Sequence, residues 1–82
     1  MIPINNRIMI PKNDHLLICP IKEGLISAEG NEYSILGTAD GETEYGINDL
    51  IIAEYQFIIR VIVAGGKEAL FVKKENVLAC LK

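Results

Sequence analysis

The 82-residue chain has no tryptophan and one histidine, and aromatic residues make up only 6% of it. So few flat rings leave little on which nucleobases could stack. Basic charge is also short. Eight Lys and Arg stand against eleven Asp and Glu, a net charge of −3, which is the wrong sign for gripping a phosphate backbone. Lys67, Lys73, Lys74 and Lys82 lie near one another in sequence, but Glu68 and Glu75 break up their field. Nucleic acid is therefore not the expected partner. No apolar run approaches the ~20 residues of a membrane span: the longest, Leu50 to Ala64, carries Glu54, Gln56 and Arg60. The opening Met1–Arg7 lacks the basic segment and apolar run of a signal peptide. A soluble, cytoplasmic chain with no membrane partner is the expectation. The two cysteines, Cys19 and Cys80, are too few and too far apart for a metal site; a disulfide between them is the alternative to the expected buried free thiols behaving as small hydrophobes.

What the chain has in quantity is aliphatic surface. Half its residues are apolar and fourteen are isoleucine, whose branched Cβ favours strands over helices. Residues 1–82 suffice for one domain, and a domain this small buries only about 60% of its unfolded surface. Part of the apolar excess is expected at a subunit contact, which makes a homo-oligomer the default.

Period-two patterning places the strands. Ile2, Ile4, Ile8 and Ile10 share one parity and predict a first strand over Ile2–Pro11, at a sheet edge because Pro3 and Pro11 lack amide protons. Lys12-Asn13-Asp14 is a turn. His15–Ile21 is a continuous apolar run and reads as a strand covered on both faces. Lys22-Glu23-Gly24 breaks the chain, Leu25–Ser27 is a short strand, and Glu29-Gly30-Asn31 is a turn. Tyr33–Leu36 is a further strand, followed by a polar loop from Thr38 to Glu44 with an Asp40-Gly41 turn. Gly46–Asp49 leads into a strand at Leu50–Ala53, and Glu54-Tyr55-Gln56 separates it from a strand at Phe57–Val63. A Gly65-Gly66-Lys67-Glu68 hairpin turn then joins Ala69–Lys73, and Lys74-Glu75-Asn76 joins the closing strand Val77–Leu81. A helix over Leu50–Val63 competes, but five isoleucines and two valines in that span are poor helix formers. A single helical turn over Glu75–Leu81 is the other alternative, since Lys73-Lys74-Glu75-Asn76 suits a helix start. The sum is an all-β chain, a small barrel or sandwich.

Chemistry is not expected. His15 has no Ser, Cys or Asp beside it at a catalytic spacing, and nothing near Cys19 would lower its thiol pKa. The acidic loop Asp40-Gly41-Glu42-Thr43-Glu44 with Asp49 lacks the spacing of a calcium loop. Gly65-Gly66-Lys67 lacks the earlier glycine and the following Ser or Thr of a phosphate loop. No enzyme, no cofactor and no metal is the reading.

Three stretches carry a family likeness. They are Pro3-Ile4-Asn5-Asn6-Arg7-Ile8-Met9-Ile10, Gly46-Ile47-Asn48-Asp49-Leu50-Ile51-Ile52, and Lys67 through Leu81. Together they resemble the GroES-type co-chaperonins, with Asn6 in place of the family's aspartate. The resemblance implies a partly open, GroES-like β-barrel and pairing with neighbours, as in a ring, through the terminal strands. Ile2, Ile4 and Ile8 with Val77, Ala79 and Leu81 would then form the subunit contact. It also implies a chaperonin as partner, with Leu16, Leu17 and Ile18 as a vestigial docking tripeptide. The family's two appendages are short here, since only Pro11–His15 precede Leu16 and only Thr38–Tyr45 separate Gly37 from Gly46. The alternative is a structural component of a larger assembly, such as a virus particle, that reuses the barrel.

Overall fold

A computed structural model describes residues 3–4, 7–21 and 31–82. The chain is all-β, and the described residues form eight strands: β1 (Pro3–Ile4), β2 (Arg7–Ile8), β3 (His15–Pro20), β4 (Glu32–Thr38), β5 (Leu50–Ala53), β6 (Ile59–Ile62), β7 (Glu68–Lys73) and β8 (Val77–Leu81). Six of them form one antiparallel sheet in the order β6-β7-β3-β4-β5-β8, while β1 and β2 pair only with each other. One-turn 3-10 helices occupy Tyr55–Phe57, Ala64–Gly66 and Lys74–Asn76.

The opening segment departs from the sequence reading. Instead of one strand over Ile2–Pro11, β1 folds back on β2, pairing Pro3 with Ile8 and Ile4 with Arg7. Isoleucine parity reports which face a side chain takes and not where a strand reverses, so it does not reveal this pairing. The expected Leu25–Ser27 strand, with the breaks on either side of it, lies outside the described residues. Over Leu50–Val63 the strand–turn–strand reading holds, except that Phe57 belongs to the 3-10 turn and the second strand begins at Ile59. Lys74–Asn76 form a one-turn 3-10 helix that leads into β8, so the closing strand forms over Val77–Leu81 and the helical alternative from Glu75 to Leu81 does not.

The hairpin between β6 and β7 follows from its glycines. Gly65 and Gly66 have φ of 83° and 75°, a left-handed conformation that costs a residue with a Cβ roughly 1–2 kcal/mol. Val63 closes the turn, its N–H donating to the Lys67 carbonyl at 2.8 Å. Asp14 and Asn48 also have positive φ, as residues that bond their own backbone readily do.

The core lies on one face of the sheet. Leu16 and Ile18 of β3, Tyr33 and Ile35 of β4, Ile51 and Ala53 of β5, and Leu70 and Val72 of β7 form a single buried cluster. Ile58, just before β6, and Val77 and Cys80 of β8 pack against that same cluster. Two register shifts interrupt the ladders. Between Leu17 and Ile18 the partner jumps from Gly37 to Ile35, and between Ile52 and Ala53 it jumps from Ala79 to Val77. Such bulges kink a strand and increase its twist. On the opposite face Leu17 and Ala69 are fully buried. β3 is thus covered on both sides, as its unbroken apolar run implied.

Candidate functional site

The two edges of the sheet are unlike each other in position but alike in character. Among the described residues β6 pairs with β7 alone, and β8 with β5 alone. All four residues of β6 are exposed, with Ile62 at 67%. Tyr55 and Phe57, just before β6, are exposed as well. Its one charge, Arg60, is occupied within the chain: the guanidinium lies 3.3 Å from Glu68 Oε1 and 5.1 Å from the centre of the Tyr55 ring. β8 carries no charged residue. Leu78, the extra residue at its bulge, is 65% exposed, and Leu81 and its cross-strand partner Leu50 are exposed too. An edge strand directs alternate backbone N–H and C=O groups outward, ready to pair with another strand. Natural edges are commonly protected by proline, charge or a bulge; here β6 carries Arg60 and β8 its bulge, and neither strand contains a proline.

At one end of the sheet three connections are tied together by a charged lock. The Glu42 carboxylate accepts from the Glu44 N–H at 2.8 Å and the Tyr45 N–H at 3.1 Å, and from Lys74 Nζ at 2.9 Å. Glu44 Oε1 is 3.4 Å from the same Nζ, which sits 5.6 Å from the centre of the Tyr45 ring. The Lys74 N–H donates to the Asp14 carbonyl at 2.8 Å, and Lys82 Nζ donates to the Glu44 carbonyl. The ammonium of Lys74 holds the Glu42 carboxyl below the usual carboxylate range, aided by the two backbone N–H groups. The carboxylate in turn raises the Lys74 pKa. A shallow depression of about 350 Å³ lies beside this lock, lined by Asn13, Asp14, Asp40, Gly41, Glu42 and Lys74. Its central charges already satisfy each other, so it is a brace between loops. The loop from Ala39 to Asp49 is further pinned by the Asp49 carboxylate, which accepts from the Gly46 N–H at 2.9 Å.

The residues singled out from sequence fall in very different places. Leu16, Leu17 and Ile18 are 0%, 0% and 1% exposed. They are interior packing in a central strand, and buried side chains have no surface to offer a chaperonin. Val77 packs against the core, whereas Ala79 and Leu81 are exposed on the β8 edge. Ile8 is exposed in β2, apart from the six-stranded sheet. Ile4 lies in β1, and Ile2 lies outside the described residues. His15 closes the Lys12–Asp14 turn, its Nδ1 lying 3.3 Å from the Asn13 carbonyl oxygen. Cys19 and Cys80 are free and half-buried. Among the described residues no three His, Cys, Asp or Glu side chains converge as metal ligands, and no helix is long and apolar enough to cross a membrane.

Sequence reasoning missed two features, the exposed β6 edge and the Glu42–Lys74 lock. Glu42 and Lys74 are 32 positions apart, so no local spacing links them. β6 did carry a signal, apolar residues on both parities, but that signal normally marks a strand with cover on both faces. Comparison with protein-family models, with curated proteins and with solved structures finds no match.

Proposed function

We propose that the chain is a non-enzymatic assembly module that associates with other protein chains, copies of itself first among them, through the open edges of its sheet. The observation that carries this reading is the pair of exposed, largely apolar edge strands, β6 and β8, each paired on one side alone among the described residues. Side chains such as Ile62 and Leu78 lie in water at a cost that association would remove, at about 25 cal/mol per Å² of apolar surface covered.

A GroES-like, partly open barrel is the frame that this reading adopts. Curvature supports it. β5 and β6 stand four strands apart in the sheet order, which is roughly 19 Å along a flat sheet. The link from Ala53 to Ile59 contains a 3-10 turn closed by the Phe57 N–H to the Glu54 carbonyl. A link shortened in this way spans only about 16 Å, so the sheet has to curl. The edges β6 and β8 then flank the opening of the barrel.

Of the two settings for such a module, a structural part of a larger particle fits one observation better. The β4–β5 connection, where the co-chaperonins carry a long roof hairpin, is a compact loop pinned by Glu42 and Asp49. A short braced loop suits a fixed building block more than a cap with working appendages. Sedimentation velocity over a concentration series tests the assembly reading. Species larger than one chain are expected to grow with concentration, and a single-chain species throughout would contradict it.

A further inference from the structure

The chain carries three aspartates, and the fold treats them differently. Asp14 and Asp49 are held. The N–H that follows Asp14, that of His15, donates to the Lys12 carbonyl at 3.1 Å, and the Asp49 carboxylate accepts from the Gly46 N–H at 2.9 Å. Asp40 has no such restraint. It and Gly41 are exposed at the centre of the turn that the Glu42 N–H closes on the Ala39 carbonyl at 3.1 Å. Among the described residues neither the Asp40 carboxylate nor the Gly41 N–H has a hydrogen-bond partner. Gly41 has a φ of 81°, and the space that a Cβ would occupy is open. Glycine populates both signs of φ, so the Asp40–Gly41 peptide is free to swing. We propose that Asp40–Gly41 is a site of spontaneous backbone isomerisation, and that the change releases the Glu42–Lys74 lock.

The chemistry needs only the chain and water. The Gly41 nitrogen attacks Cγ of the neutral Asp40 carboxyl group, and a C–N bond forms. The carboxyl hydroxyl leaves as water with the Gly41 amide proton, closing a five-membered succinimide. Water then adds to one of the two ring carbonyls, and the bond from that carbonyl to nitrogen breaks. Opening at Cγ restores aspartate. Opening at the Asp40 main-chain carbonyl leaves Gly41 attached through Cγ, as isoaspartate. The water lost is regained, so nothing is oxidised or reduced and the mass is unchanged. The main chain now runs through Cβ and Cγ, however, and is longer by a carbon. That carbon enters between Ala39, which is buried, and Glu42, which accepts from Lys74 Nζ at 2.9 Å. Lys74 cannot simply follow, because its own N–H is tied to the Asp14 carbonyl. A carbon–carbon bond of about 1.5 Å exceeds the whole spread of N–H···O lengths, roughly 2.7–3.2 Å, so the turn and the lock no longer fit together. None of this depends on the assembly reading.

Storage of the purified chain in warm neutral buffer tests the proposal. An isoaspartyl methyltransferase, with S-adenosylmethionine as methyl donor, reports the new carboxyl group, and electron-transfer fragmentation in a mass spectrometer locates it. Methyl acceptance is expected to rise with storage time at Asp40 and to stay at background at Asp14 and Asp49. Asp40→Glu changes an exposed residue without partners, so the fold should stand. It is expected to abolish the signal, because glutamate would have to close a larger ring. The isomerised fraction, separated by ion-exchange chromatography, should melt below the fresh chain. In Glu42→Ala, where the lock is already gone, isomerisation should lower the melting point no further. No acceptance at Asp40, or equal acceptance at Asp14 and Asp49, would overturn the site. Acceptance at Asp40 with an unchanged melting point would overturn the release of the lock.

Discussion

Leu17→Ala is expected to cost the domain 2–5 kcal/mol, roughly the range for a buried leucine whose cavity only partly collapses. Leu17 is fully buried in the middle of the sheet, between Gly37 on β4 and Phe71 on β7. A small domain has on the order of 5–15 kcal/mol to lose, so the midpoint of thermal unfolding should fall by at least about 10 °C. Leu17→Asp goes further, because a carboxylate there has no partner and no water, and the chain should not fold. Leu78→Ala is the control: at an exposed position the change should stay within about 0.5 kcal/mol. Thermal melts of the three variants separate a core role for Leu17 from a docking role. A docking residue would lose partner binding with its melting point intact.

Glu42→Ala is expected to cost about 2 kcal/mol, a typical loss for hydrogen bonds to a charged group. The change removes acceptors from the Glu44 and Tyr45 N–H groups and leaves the Lys74 ammonium with the Glu44 carboxylate and the Tyr45 ring. The lock also gives stability a pH dependence with a definite sign. Glu42 has a lowered pKa in the folded chain. Its contribution is full above the ordinary carboxylate range and is lost as pH falls through the depressed value. Lys74 has a raised pKa, so its contribution is full below the ordinary lysine range and is lost only as pH rises through that raised value. Between those limits the lock is intact. Denaturant titrations of wild type and Glu42→Ala should therefore differ at neutral pH and converge in acid. A difference that persists after Glu42 is protonated would mean that the side chain stabilises the loop by packing instead.

How much of this was legible in the sequence depends on whether the signal was local. The β6–β7 hairpin was, because two adjacent glycines adopt a backbone that other residues resist. The turn at Lys12-Asn13-Asp14 was legible from the tolerance of Asp14 for positive φ. The fate of an apolar run was not. His15–Ile21 and Phe57–Val63 present nearly the same pattern, yet the first became β3 at the centre of the sheet and the second became β6 at its margin. What separates them is how many strands pair alongside each, a long-range property that side-chain parity does not encode. The docking residues were misplaced for the same reason: Leu16, Leu17 and Ile18 are apolar because they are central. The bulges at Leu36 in β4 and Leu78 in β8 likewise arise from pairing across strands.

The claim that unites these observations is that β6 and β8 are open edges that close on assembly. Amide hydrogen exchange, measured residue by residue on dilute and concentrated samples, tests it most directly. Amides in β3 and β4 should be protected at both concentrations, since each of those strands is paired on both sides. Alternate amides along Ile59–Ile62 and Val77–Leu81 should exchange rapidly when dilute and become protected together when concentrated. Protection of both edges already in the dilute single chain, unchanged by concentration, would contradict the account.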